Sequence, residues 1–340
     1  MIAVSCIYNE GDILESFCRY HASIFDVLMV YDRGCEDGSR EIIHNLIAEG
    51  LPIHLITALQ PHPVAKTYKG ALIELAFKTY SPNVVFPLDP DEFLYHIDGS
   101  NPRNELERLS QEKEYQVFWR TAIFERAPNN NEEFVPSSYT SFRSPEFEKF
   151  AKPIVTNNLY RKYGATVGRK VHQLDYPDNP RKDKVETAPH PSLLLAHYPV
   201  RSAQQMLMKI VPARIDHKYK SDHPGLGFHQ GLIYDIIRQK GMLAPNDLRR
   251  LCLEYALETH AIPDDIPCYD AKLETGFIKN PRLRYTNQMY EDRMAVSMKV
   301  LLNHIEKVTD QYKADLAKQG ALTRKTIKIM KKALRVFIPR

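Results

Sequence analysis

Short apolar runs alternate with amphipathic stretches from the first residues to Leu88. Ile2 to Tyr8 has the character of a buried strand, and Val27 to Tyr31, Ile53 to Thr57 and Val84 to Leu88 repeat it. Between these runs, Ile13, Phe17, Tyr20 and Ile24 recur at helical spacing. Ile42, Ile43, Leu46 and Ile47 do the same, and so do Tyr68, Leu72, Leu75 and Ala76 within 66–80. Asp12 and Glu15 have capping-box spacing before the first helix. Gly50-Leu51-Pro52 stops the second helix and Ser81-Pro82-Asn83 the third. The order β-α-β-α-β-α-β predicts an α/β fold, with a mainly parallel sheet and helices on both faces.

Beyond residue 100 the pattern loosens. Tyr115 to Thr121 and Leu193 to Tyr198 read as strands, and 160–172 reads as a hairpin around Gly164. Ser202 caps a helix carrying Met206, Leu207 and Ile210, and the chain past about Leu232 is mainly helical. The predicted organisation is a first domain over 1–235, its halves 1–98 and 99–235, followed by a helical region over 236–340.

Polar residues gather where the predicted strands end. Tyr8-Asn9-Glu10 follows the first, Asp32 the second, and Asp89-Pro90-Asp91-Glu92 the fourth. Ligands of such sheets bind beyond the carboxyl ends of the strands. Two acids spaced i, i+2 at a strand end share a side of the backbone, which suits a hard divalent cation and, through it, a diphosphate. No G-x-G-x-x-G or P-loop follows a strand, so carboxylates, aromatics and a metal must hold any nucleotide.

The bulk numbers change little. A chain of 340 residues, 43% hydrophobic and 26% charged, is an ordinary globular protein. A net charge of +4 is too small to imply nucleic acid. Five scattered cysteines without a C-x-x-C pair predict a reduced, cytoplasmic protein. The short apolar N-terminus has no basic region before it and is read as a strand, not a signal peptide. Residues 318–340 carry eight Lys or Arg and no acid, with Ile327, Met330, Leu334 and Phe337 at helical spacing. A basic amphipathic helix of this kind suits an anionic membrane surface.

Five motifs in order resemble the family-2-type glycosyltransferases of the GT-A fold, in the branch of bacterial cell-envelope glycan synthesis. They are Tyr8-Asn9-Glu10, the loop Tyr31 to Ser39, Lys69-Gly70-Ala71-Leu72, Leu88-Asp89-Pro90-Asp91-Glu92-Phe93, and His197-Tyr198-Pro199-Val200-Arg201-Ser202. The resemblance covers the first two hundred residues. Gly168-Arg169-Lys170-Val171-His172 departs from the Gly-x-His expected there.

The resemblance implies a GT-A-type Rossmann-like mixed sheet with a helical C-terminal extension. It implies a metal-dependent, inverting transfer of sugar from a nucleotide sugar, a UDP-sugar first among them, to a glycan or lipid-linked glycan. Lipopolysaccharide or another cell-surface polysaccharide would be the product. Asp91 and Asp89 would hold Mn2+ or Mg2+, with His197 completing the shell, and Glu92 would orient it or face solvent. Tyr8, Glu10, Asp32, Lys69, Asp89 and Arg201 would bind the nucleotide sugar, Asp32 accepting a hydrogen bond from the base. Lys66, Arg169 and Lys170 are weaker phosphate candidates. An inverting transfer needs a general base. Glu125 is the first choice, with Asp175 and Asp222 as alternatives. A sugar-binding adaptor on an inactive scaffold is a competing reading, and a haloacid-dehalogenase-type phosphatase a weaker one, because Phe93 stands where that family has Thr or Val.

Overall fold

In the computed structural model, residues 1–64, 66–126, 134–168, 172–179, 184–219, 228–257, 266–271, 273, 276–278, 282–286 and 293–318 are described. Their elements are, in chain order, β1 (Ile2–Ile7), α1 (Leu14–His21), β2 (Val27–Asp32), α2 (Ser39–Ala48), β3 (Ile53–Ile56), α3 (Tyr68–Tyr80) and β4 (Val84–Pro87). Then come β5 (Glu92–His96), α4 (Arg103–Glu107), β6 (Glu114–Thr121), β7 (Ser141–Arg143), β8 (Ala151–Thr156), α5 (Asn157–Tyr163), β9 (Thr166–Val167) and β10 (Leu174–Asp175). The last are β11 (Thr187–His197), α6 (Ala203–Tyr219), α7 (Phe228–Lys240), α8 (Pro245–Glu254), β12 (Cys268–Asp270) and α9 (Arg293–Lys318).

Among the described residues, eight strands form one sheet in the order β3-β2-β1-β4-β8-β6-β11-β5. The first four run parallel. β8 is antiparallel to β4 and β6, while β11 is parallel to β6 and antiparallel to β5. The alternating pattern predicts the four parallel strands and their helices, and the whole is the mixed sheet flanked by helices that the resemblance implies. The pleat sorts the core onto two faces. Ala3, Leu28, Val30 and Phe86 pack with Phe17 of α1 and Ile42 and Leu46 of α2. Ile2, Val4, Met29 and Val85 pack on the other face with Leu72, Ala76 and Phe77 of α3 and Leu159 of α5.

β1 lies between β2 and β4, so the chain leaves it first to one side and later to the other. The crevice beyond the carboxyl ends of β1 and β4 is therefore the switch point of the sheet, the usual ligand position in such folds. The loops after Ile7 and after Pro87 meet there.

Three local expectations give way to other arrangements. Residues 160–163 belong to α5, which Thr156 caps at its start and Gly164, at φ +63°, ends. Thr156 and Gly164 are ordinary start and stop signals for a helix, so the hairpin expected around Gly164 does not form. β11 begins at Thr187 and runs through Pro189 and Pro191, with a register shift between Pro189 and Leu194. That irregularity accommodates prolines that ordinarily mark a sheet edge. The capping box of α1 is absent, and its two acids go elsewhere. Asp12 turns to Arg201, and Glu15 accepts from the backbone amides of Arg284, Tyr285 and Thr286 at 2.8–2.9 Å and from Arg19. Leu243, Leu251, Leu273 and Leu283 share the core that contains Leu14 and Phe17.

α3 does carry a side-chain cap. Thr67 Oγ1 accepts from Gly70 N at 3.0 Å and donates to Val167 O at 2.8 Å. Thr67→Ala is expected to cost about 1–2 kcal/mol, read as a lower urea midpoint, with Thr67→Ser recovering most of it.

Candidate active site

Asp89 and Asp91 stand in a tight turn between β4 and β5, closed by Glu92 N donating to Asp89 O at 3.0 Å. The strand ends earlier than the apolar run suggests, and the turn redirects the chain so that Glu92 opens β5. The side chains are not spent on the turn. Asp89 Oδ1 faces Lys69 Nζ, and its Oδ2 lies 2.5 Å from Lys152 Nζ. Asp91 Oδ2 accepts from Lys209 Nζ at 3.0 Å, with Arg201 Nη1 at 3.8 Å and His197 Nε2 at 3.9 Å. Glu92 accepts from Trp119 Nε1 at 2.7 Å and from Asp89 N at 2.8 Å, so it orders this turn from within the core.

The cluster reaches the first strand through Arg201. Its guanidinium, 2% exposed, donates to Glu10 at 2.6 Å, to both oxygens of Asp12 at 2.7 and 2.9 Å, and to the Tyr198 carbonyl at 2.9 Å. Arg201 is thus a strut between the β1 and β11 ends, with its donors spent on protein groups. Asp89 keeps 36% of its side chain exposed and Lys209 27%, so these two form the open edge of the cluster.

Burial and neighbouring charge set the ionisation. Burial opposes a charge on Asp91, but Lys209, His197 and Arg201 outweigh it and hold the carboxyl at about 2. Burial likewise opposes ionised Asp89, and Lys152 and Lys69 pull it well below the carboxylate range. Burial pushes Glu10 and Glu92 up to about 7. It pushes His197 down to about 3, so the imidazole is neutral, as a metal ligand must be. His197 stacks on Trp119 with ring centroids 4.1 Å apart.

Among the described residues, no three His, Cys, Asp or Glu side chains converge as a metal cage. A smaller donor set is within reach of one ion. Asp91 Oδ2 and neutral His197 Nε2 stand 3.9 Å apart, and adjacent ligands of one octahedral ion with bonds of about 2.1 Å stand about 3 Å apart, so the two would close by about 1 Å to share it. Mg2+-like ions keep several water or phosphate ligands, so two protein donors suffice. Asp89, expected beside them as a ligand, instead turns its oxygens to two lysines.

The other expected site residues divide. Lys69 is in the cluster. Asp32 is not: its Oδ1 accepts from Gly34 N and Cys35 N at 2.8 Å each, and its Oδ2 from Arg40 at 2.5 Å. Its carboxylate shapes the loop after β2. That loop is laced to the loop after β1, with Glu36 N donating to Asn9 Oδ1 at 2.8 Å and Gly11 N to Asp37 Oδ2 at 2.9 Å. Tyr8 keeps an accessible ring, with the Arg33 guanidinium 6.0 Å from its centroid. Glu125 is exposed beyond β6, where Thr140 donates to it at 2.9 Å, and none of the bonds of the Asp91 cluster involves it. Asp175 is exposed in β10. Lys66 is exposed too, while Arg169, Lys170, Asp222 and residues 319–340 lie outside the described residues. His172 Nδ1 donates to the Ala151 carbonyl at 2.8 Å.

Lys152 and Lys209 were not legible as site residues. Lys152 sits in the apolar run Ala151 to Val155 with a side chain 0% exposed, which is the one available signal: a lysine inside a buried strand must have a carboxylate partner. Nothing in the sequence marks Lys209 off from other helix lysines.

No protein-family model matches the sequence, and no curated protein matches it. Among solved structures, it is similar to a mannosyltransferase from Pyrobaculum calidifontis in complex with GDP-Man and Mn2+, at 11% identity and a TM-score of 0.34, over 98% of this chain and 80% of that one. It is also similar to glucosyl-3-phosphoglycerate synthase from Mycobacterium tuberculosis in complex with Mn2+, uridine-diphosphate and glucosyl-3-phosphoglycerate, at 15% identity and a TM-score of 0.32, over 58% of this chain and 71% of that one. At these values the likeness carries no argument about what this chain binds.

Proposed function

We propose that the chain is a glycosyltransferase that moves a sugar from a nucleotide-sugar donor to a hydroxyl of a glycan acceptor. The observation that carries this reading is the position of the Asp91 cluster. Buried carboxylates, a neutral imidazole and three lysines meet at the switch point between β1 and β4, beside the aromatic edge at Tyr8. A diphosphate needs concentrated positive charge, and the sugar it carries needs hydrogen-bonding groups at a fixed distance from it.

In this reading Asp91 and His197 hold a divalent cation, which when bound neutralises charge on the leaving diphosphate. Lys209, at the open edge, gives up its bond to Asp91 and turns to a phosphate oxygen. Lys69 and Lys152 hold Asp89 ionised and oriented toward the cleft, where it accepts from a donor hydroxyl. Arg201 keeps Glu10 and Asp12 in place, and so fixes the loop after β1 against the Asp91 turn. Glu125 is the proposed base for the acceptor hydroxyl. A cell-surface glycan as acceptor, and a membrane contact through 318–340, rest on the sequence resemblance and on the basic tail. No described helix is long and apolar enough to cross a membrane.

The test is a thermal-shift panel of UDP-, GDP-, CMP- and dTDP-sugars with Mn2+ or Mg2+. One nucleotide class is expected to raise the melting temperature by several degrees, with EDTA reducing the shift. No shift from any member with either metal would sink the reading.

A further inference from the structure

A cavity of about 500 Å3 opens at the ends of β1 and β2, and most of its wall comes from α6 and α9. Tyr8 and Arg33 line it from the strand ends, Asp216 from α6, and His304, Lys307 and Val308 from α9. Only Asn9 separates Tyr8 from Glu10, so the cavity adjoins the Asp91 cluster. Its volume lies in the range of small-molecule sites.

α9 is fastened over this recess at three points. Lys307 pairs with Glu36 of the loop after β2, and Asn303 Nδ2 donates to the same carboxylate at 3.1 Å. His304 Nε2 lies 3.1 Å from Asp216 Oδ1 on α6. Glu36 itself belongs to the loop laced to Asn9. The helix is therefore held against the strand ends by bonds that surround the cavity.

The chemistry of the walls is that of a nucleoside site. An accessible tyrosine ring offers a stacking face, which suits any base. Arg33 lies within cation-π range of both Tyr8 and Tyr68, at 6.0 and 5.8 Å, and so stiffens that face. Val308 supplies an apolar patch from the helix side. Asp216 and His304 face each other at 3.1 Å and Lys307 pairs with Glu36, side-chain pairs that can exchange partners with a base edge and a ribose. The Asp32 carboxylate, by contrast, is committed to its own loop.

Building on the proposed nucleotide-sugar donor, we propose that α9 is the second wall of the nucleoside pocket. The base and ribose enter between Tyr8 and α9, Val308 covers the ring, and α6 and α9, rather than Asp32, read its edge. The C-terminal helix is then part of the donor site and sets which base is accepted.

The test is calorimetric titration of the full chain with UDP and with GDP in the presence of Mn2+, for wild type, Val308→Trp, Gln311→Trp and Lys313→Ala. Gln311 also lines the cavity from α9, so two cavity-filling variants are at hand should one fail to fold. Each folded Trp variant is expected to weaken the preferred nucleotide by about 30-fold or more, while Lys313→Ala, on the exposed side of α9 and outside the cavity, stays within about 3-fold. Wild-type affinity in a folded Trp variant would overturn the role of α9 and leave the donor reading intact. Failure of the wild type to bind either nucleotide would overturn the proposal, and the panel above then decides whether the donor reading falls with it.

Discussion

Arg201→Met is expected to lower the stability of the chain by about 3–5 kcal/mol, measured as the urea unfolding free energy. The side chain is 2% exposed and serves four acceptors on two segments: Glu10 and both oxygens of Asp12 in the loop after β1, and the Tyr198 carbonyl after β11. Methionine fills much of the volume but donates nothing. Asp12 and the Tyr198 carbonyl are then left buried with acceptors unmet, and Glu10, already pushed up by burial, loses the cation that opposes that push. Arg201→Lys is expected to recover only a minor part, because one ammonium cannot copy a planar fork that spans three groups. A loss below about 1 kcal/mol would mean that water reaches these carboxylates, and that the β1 loop is not held as described.

Asp91→Asn is expected to reduce sugar transfer by about 1,000-fold, or about 4 kcal/mol of transition-state stabilisation. The amide is nearly the same size, and the backbone carbonyl that accepts from Tyr198 N at 2.8 Å is untouched. What changes is charge. Lys209, Arg201 and His197 hold the carboxyl at about 2, so it is fully ionised at any working pH, and the variant removes one whole negative charge from a nearly water-free site. A cation loses its anionic ligand and keeps only an imidazole. Lys209 also loses its partner, and some of its freed charge goes to the diphosphate. Nucleotide affinity without metal is therefore expected to hold or to rise, while turnover falls. Turnover within a few-fold of wild type would remove Asp91 from the chemistry and leave it a structural ion-pair acceptor.

Local periodicity made much of the architecture legible. The four parallel strands are apolar on both faces and their three helices each carry an apolar face, and the pleat assigns Ala3 and Val4 to opposite cores as alternation requires. The turn at Asp89 and the cap at Ser202 are also local. What sequence spacing could not show is which charge meets which. Asp12 and Glu15 fit a capping box on paper, but Arg201 lies 189 residues from Asp12, and the amide of Thr286 lies 271 residues from Glu15. Asp32 stands at a strand end in the expected place, yet the amides of Gly34 and Cys35 take one of its oxygens and Arg40 of α2 the other. Lysines 152 and 209 become site residues only because an antiparallel strand and a later helix bring them to the same turn. Long-range pairing of this kind depends on the whole topology, and no short window of residues contains it.

The Glu15 clasp has a consequence for how the chain can be made. Its carboxylate, fully buried in α1, takes three successive backbone amides that leave the ribosome only after residue 286 has been added. Until then the first helix carries a buried charge balanced only by Arg19. The early strands can pair as they emerge, but the core face on α1 stays incomplete for most of synthesis. The nascent chain is thus exposed to chaperones and proteases over that interval, and a fragment cut at residue 235 inherits the same unfinished helix for good.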